Sequence, residues 1–161
     1  DNATSNIVSV TDNAGNTYSP AAPTTRSSVN SQAIYYAKNI VGGPTTVTVT
    51  FNTSTPYVDI RIAEYSGLSR TNPLDVSASA AGSASLANSG SVTTTSASEL
   101  LLGAGTTTGA FTSAGSGYTL RVITQPDADI CEDRIVTATG TYNATANVSG
   151  TWVMQLVTFR Q

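Results

Sequence analysis

Tyr57-Val58-Asp59-Ile60-Arg61-Ile62-Ala63-Glu64-Tyr65, closed by Ser66-Gly67, alternates cleanly between aliphatic and polar residues and reads as a strand ending in a turn. Period two puts Val58, Ile60 and Ile62 on one face, predicted to be the core face, and carries Glu64 onto that face with them. A carboxylate on a core face needs a partner, because desolvating an isolated charge is too costly. Lys38, the only lysine of the chain, lies on a similar alternation, with Ile34, Tyr36 and Ile40 on its face. The sequence therefore predicts an internal Lys38–Glu64 charge pair. Two other readings of this pair stand beside it: Glu64 bound to Arg61 or Arg134 at a sheet rim, and an amide crosslink from Lys38 to Asn39, Asn143 or Asn147 with Glu64 as proton shuttle.

Outward from this stretch the chain continues as short alternating or β-branched runs separated by turn residues. Upstream lie Ile7 to Val10, Ala33 to Ile40 and Thr46 to Phe51. Downstream lie Asp75 to Ala80, Ser91 to Thr95, Glu99 to Gly105, Tyr118 to Thr124, Arg134 to Thr139, Tyr142 to Val148 and Thr151 to Arg160. Residues Ser19 to Ser31 and Thr106 to Gly117 read as irregular loops. No helical period appears anywhere. About ten short strands with turn signals every eight to twelve residues predict one all-β domain, an antiparallel β-sandwich of jelly-roll or immunoglobulin-like order. The last strand is apolar on both faces, with Trp152, Met154 and Leu156 on one and Val153, Val157 and Phe159 on the other. It is expected to be central or covered.

Composition narrows the function classes. Only 11% of residues are charged, so hydroxyls and amides must cover the surface, a pattern that leans towards an extracellular or cell-surface setting. A formal charge of −3 with six scattered arginines argues against nucleic acid as partner. No apolar run approaches the roughly 20 residues of a spanning helix, so membrane insertion is not expected. The first residue is Asp1 rather than methionine, which reads as a mature, processed or excised segment. Cys131 has no second cysteine to pair with inside the chain. It reads as a small apolar residue, with an intermolecular disulfide or a reactive thiol as the alternatives.

There is no histidine, and a lone cysteine without one has no obvious activator, so serine and cysteine triads are excluded. A glycosidase pair of Glu64 with Asp129, Glu132 or Asp133 would need an aromatic-lined cleft, for which 7% aromatic content is poor material. A non-enzyme is expected. Asp127, Asp129, Glu132 and Asp133 place four hard oxygen donors within seven residues, a set suited to calcium, though the order is not that of an EF-hand loop and a solvated acidic turn is the plainer reading. Asn2, Asn52, Asn143 and Asn147 begin glycosylation sequons, which so serine- and threonine-rich a chain produces by chance.

Several motifs together resemble a β-sandwich module that recurs, often in repeated copies, in large secreted or surface bacterial proteins. They are Val10-Thr11-Asp12 with Gly15-Asn16-Thr17-Tyr18, Tyr35-Tyr36-Ala37-Lys38-Asn39-Ile40, Glu64-Tyr65-Ser66-Gly67 followed by Pro73-Leu74-Asp75, Glu132-Asp133-Arg134, and Trp152-Val153-Met154-Gln155. The resemblance implies an extracellular, multi-domain context and supplies no catalytic residue. Such modules carry an alanine-like residue at the position of Cys131 and tend to begin with further strands upstream of Asp1. Without those strands a sheet edge or groove would stand open to another chain.

Two functions follow as expectations. The first is a structural or adhesive subunit of a surface protein or filament, assembling by strand pairing or strand donation with copies of itself or with neighbouring domains. The second is a carbohydrate-binding module, with Tyr35, Tyr57, Tyr65, Tyr118 or Trp152 as stacking platforms for a polysaccharide.

Overall fold

The computed structural model describes residues 4–43 and 45–161; Asn2 and Pro44 lie outside them. Among the described residues there are fourteen strands and no helix. In chain order they are β1 (Ile7–Asp12), β2 (Tyr18–Arg26), β3 (Ser31–Ala37), β4 (Val47–Phe51), β5 (Leu74–Gly82), β6 (Leu86–Asn88), β7 (Val92–Thr93), β8 (Glu99–Thr107), β9 (Phe111–Ala114), β10 (Thr119–Ile123), β11 (Ile130–Val136), β12 (Thr141–Tyr142), β13 (Thr145–Val148) and β14 (Trp152–Arg160). Every ladder is antiparallel. The fold is the expected all-β sandwich, with more strands than the ten read from sequence because β2 and β9 form in segments read as loops, β6 pairs in the Ser- and Ala-rich stretch, and the run Tyr142 to Val148 is divided between β12 and β13.

The spine is a five-stranded sheet in the order β10-β11-β8-β14-β5. β14 is hydrogen-bonded on both sides and covered on both faces. Trp152, Met154 and Leu156 meet Ala87, Phe111, Ala146 and Val148 from the small sheet β6-β13-β9, forming the larger core. Val157 and Phe159 meet Ala21 and Ala22 of β2 and Ile34 and Tyr36 of β3, forming the smaller core on the opposite face. The pair β1–β4 stands apart from both cores.

Two segments read as loops are strands. β2 contains Pro20 and Pro23, which normally argue against a strand, but both are exposed and the ladder to β3 shifts register between Pro20 and Ala22 and again between Ala22 and Thr25. A bulged two-stranded pair tolerates prolines that a central strand would not. β9 lies inside the Gly- and Ser-rich segment and is anchored by Phe111, which is buried in the larger core.

Small residues let the larger core close. A Cβ placed on Gly105 would lie 2.5 Å from Cζ of Phe111 and 2.9 Å from the sulfur of Met154. Both neighbours are fully packed and cannot yield without displacing others. Gly105→Ala is expected to lower stability by about 2 kcal/mol, read as a lower urea midpoint with an unchanged slope.

Candidate functional site

The stretch Val58–Tyr65 is extended but joins no ladder, and among the described residues its backbone makes no backbone–backbone hydrogen bond. Its alternation is preserved and turned over. Val58, Ile60 and Ile62 point outward with 44%, 48% and 67% of their surface exposed, while Asp59, Arg61 and Tyr65 turn towards the central sheet. The aliphatic row predicted for the core is therefore on the outside. The physical reason is the floor beneath it, which offers polar partners.

Arg61 supplies the main anchor. Its Nη1 donates to the carbonyl of Gly105 at 2.8 Å and to that of Ile130 at 3.3 Å, and its Nη2 donates to Oε1 of Gln32 at 2.9 Å. The guanidinium lies 3.6 Å from Oδ2 of Asp129 and 4.0 Å from Oδ2 of Asp59. Gln32 on β3 passes the network on, donating to the Ala104 carbonyl at 2.9 Å and to Gln155 at 3.2 Å. Tyr65 is the second anchor, its hydroxyl donating to Oδ2 of Asp133 at 2.7 Å, while Arg121 holds the same carboxylate with two bonds of 2.6 and 2.8 Å. Burial, with the Asp133 carboxylate alongside, holds the Tyr65 phenol well above its usual range.

Between Val58–Tyr65, β3 and the β1–β4 pair lies a cavity of about 890 Å³. Its floor is the outer face of β8 (Leu102, Ala104, Thr106) with Cys131, and its walls include the exposed aliphatic row and the half-buried Val47, Val49 and Phe51 of β4. That volume falls at the upper end of ordinary ligand sites, which span about 300–1,000 Å³.

The residues singled out in the sequence are dispersed. Glu64 is exposed and makes no ion pair among the described residues, and Lys38 donates instead to the carbonyl of Thr71. The expected Lys38–Glu64 pair is thus not formed, because the whole strand presents its other face inward. Arg61 binds Asp129 rather than Glu64, and Arg134 sits 5.7 Å from the ring centre of Tyr142. The crosslink geometry is likewise not formed. Asn39 accepts from Arg70, while Asn143 and Asn147 belong to the layer on the opposite side of the central sheet.

The calcium reading fails on strand geometry. Glu132 and Asp133 are consecutive in β11 and point to opposite faces, Glu132 into the larger core and Asp133 towards Tyr65. Asp129 is buried beneath Arg61 and accepts from the Thr107 amide at 2.9 Å, and Asp127 lies in the preceding turn. No group of three or more acidic, histidine or cysteine side chains converges among the described residues.

The aromatic residues form no shared platform. Trp152 is buried and donates its indole N–H to the Ala84 carbonyl, Tyr118 packs against the larger core and donates to Asn143, and Tyr65 is bound to Asp133. Tyr35 lines the cavity, and only Tyr57 is largely exposed. Cys131 is buried on the cavity floor with its thiol pushed up by burial, so it is not presented to the surface of a second folded copy for an intermolecular disulfide.

What sequence reasoning missed is the polar floor made by Asp59, Arg61, Gln32 and Asp129. Its one signal was the opposite charge of Asp59 and Arg61, which share a strand face two residues apart. Compared with known proteins, the chain matches no family model, and no curated protein or solved structure is significantly similar to it.

Glu132 carries a measurable consequence. It is fully buried; one carboxyl oxygen accepts from the Gly115 amide at 2.8 Å and the other has no partner. Burial pushes its pKa up to about 7 from 4.5. A folded-state pKa raised in this way means that between pH 4.5 and 7 the unfolded chain has lost a proton the folded chain keeps, so stability falls as pH rises through that window and levels off above it. Urea unfolding at pH 5 and pH 8 should show Glu132→Gln losing roughly 2–3 kcal/mol less than the parent. Equal losses would place the ionisation elsewhere.

Proposed function

We propose that the chain is a non-catalytic structural unit of an extracellular surface protein or filament, one that assembles by having its unfinished outer layer completed by an added strand. A single observation carries this reading. Val58–Tyr65 is held in strand conformation by Arg61 and Tyr65, yet its backbone is unladdered and three aliphatic side chains face outward. Unpaired strand edges and contiguous exposed aliphatic residues mark association surfaces in β proteins. The low charge and the motifs resembling repeated modules of secreted bacterial proteins support the extracellular setting. The buried carboxylates of Asp129 and Asp133 are each engaged in holding segments together, which supports a structural role for them.

The exposed row should make copies of the chain adhere to one another. Light scattering is expected to show an average mass that climbs with concentration, and Ile60→Lys with Ile62→Lys should abolish the climb without altering the melting transition. A parent chain that stays monomeric at every concentration would contradict association through this face.

A further inference from the structure

Three of the seven Lys and Arg side chains, Arg61, Arg121 and Arg160, are paired with carboxylates. Lys38 and Arg70 have no such pair among the described residues, and they are held beside each other. Lys38 follows β3 and donates from Nζ to the Thr71 carbonyl, while Arg70, the residue before Thr71, donates from Nε to Oδ1 of Asn39, the residue after Lys38. Asn39 sits at a φ of 50°, in the left-handed region that asparagine tolerates better than most residues. The loop carrying Arg70 is pinned in turn to the end of β14, with the Ser69 amide donating to the Arg160 carbonyl at 2.9 Å and Nη1 of Arg160 donating to the Asn72 carbonyl at 3.3 Å. Both cations are thus positioned by neutral acceptors on a fixed frame.

The two cations border a recess of about 430 Å³ at the end of the β2–β3 pair where Tyr18 faces Ala37. That volume lies within the range of ligand sites. The turn after β1 forms another wall, fixed by Asn16, whose Oδ1 accepts from the Val41 amide at 2.8 Å. Among the described residues no carboxylate lines the recess. Asp12, four residues before Asn16, is already taken up: it accepts from the Ala14 amide at 3.0 Å, the Asn16 amide at 2.9 Å, Nδ2 of Asn16 at 2.8 Å and the Tyr18 hydroxyl at 3.0 Å. Thr17, Ser19 and Tyr36 complete the polar lining, and their hydroxyls make no hydrogen bond among the described residues.

With Nε of Arg70 committed to Asn39, its two Nη groups remain as a fork that matches the two oxygens of a planar carboxylate. Lys38 keeps two of its three N–H donors. Neighbouring like charges with no acid beside them repel each other, and an anion placed between them relieves that repulsion. A small inorganic anion would leave the three hydroxyls idle. A neutral sugar would leave the cations idle and find no stacking face, because the Tyr36 ring is engaged with Phe159 at 5.6 Å. We infer that the recess binds an acidic sugar, a uronic acid residue of a polysaccharide, with its carboxylate on Arg70 and Lys38 and its hydroxyls against Thr17, Ser19 and Tyr36. None of residues 58–65 lines the recess, so the site is independent of association through the aliphatic row.

Isothermal titration calorimetry of the whole chain with trigalacturonate at low ionic strength tests this. Binding at a single site is expected, and the fully methyl-esterified trisaccharide, which keeps the hydroxyls and loses the charge, should bind about tenfold more weakly or worse. Arg70→Gln and Lys38→Gln should each weaken trigalacturonate by about tenfold or more without altering the melting transition, since both side chains are exposed. Arg70→Lys should recover only part of the loss, because the charge returns without the fork. Thr17→Val should weaken the trisaccharide by about fivefold while leaving all charges in place. Acetate that displaces trigalacturonate at equal concentration would reduce the site to a general anion patch and overturn the sugar assignment. Equal binding of the ester, indifference to both glutamine variants, or absence of binding would each overturn the site.

Discussion

β14 is apolar on both faces, and a strand of that kind must be covered twice. Trp152, Met154 and Leu156 require one covering layer and Val157 and Phe159 require another, so the central sheet sits between two cores rather than beside one. Burying apolar surface at about 25 cal/mol per Å² makes this the dominant organising term. The layer over the first face is complete, built from β6-β13-β9. The layer over the second covers β14 and β5 with the β2–β3 pair, then stops. Beyond that point β8 lies under both β3 and Val58–Tyr65, and β11 under Val58–Tyr65.

The polar floor explains how that segment keeps its place without a ladder. Arg61 is worth more here than at an open surface, because its partners are carbonyls and a carboxylate held away from water, where charge-assisted bonds are strong and an uncompensated Asp129 would be costly. Burial alone already raises the Asp129 pKa, with Arg61 pulling it back. Two side-chain anchors, Arg61 and Tyr65, thus do what backbone pairing does elsewhere. They leave the backbone amides and carbonyls of the segment without backbone partners among the described residues.

The sandwich class was legible because period-two alternation and turn residues recur along the chain, and the double-faced β14 could be placed at the centre from its side chains alone. β2 was not legible, since Pro20 and Pro23 are strand breakers unless bulges and an open edge accommodate them. The acidic run Asp127 to Asp133 looked like one loop because proximity in sequence says nothing about facing. Once β11 begins at Ile130, Glu132 and Asp133 are driven to opposite sides. The largest reversal concerns Val58–Tyr65. Its alternation was right and its orientation inverted, because the rule that aliphatic residues face inward assumes a finished layer, and the polar floor and the gap beside it are tertiary features that a single strand does not encode.

Amide hydrogen exchange on the isolated chain tests the unfinished layer most directly. The account predicts that the amides of Val58 to Tyr65 exchange close to the rate of an unstructured chain, while those of β8 and β14 are protected by the full free energy of unfolding. Protection across Val58–Tyr65 equal to that of β14 would mean that the segment is already laddered, and would contradict the account.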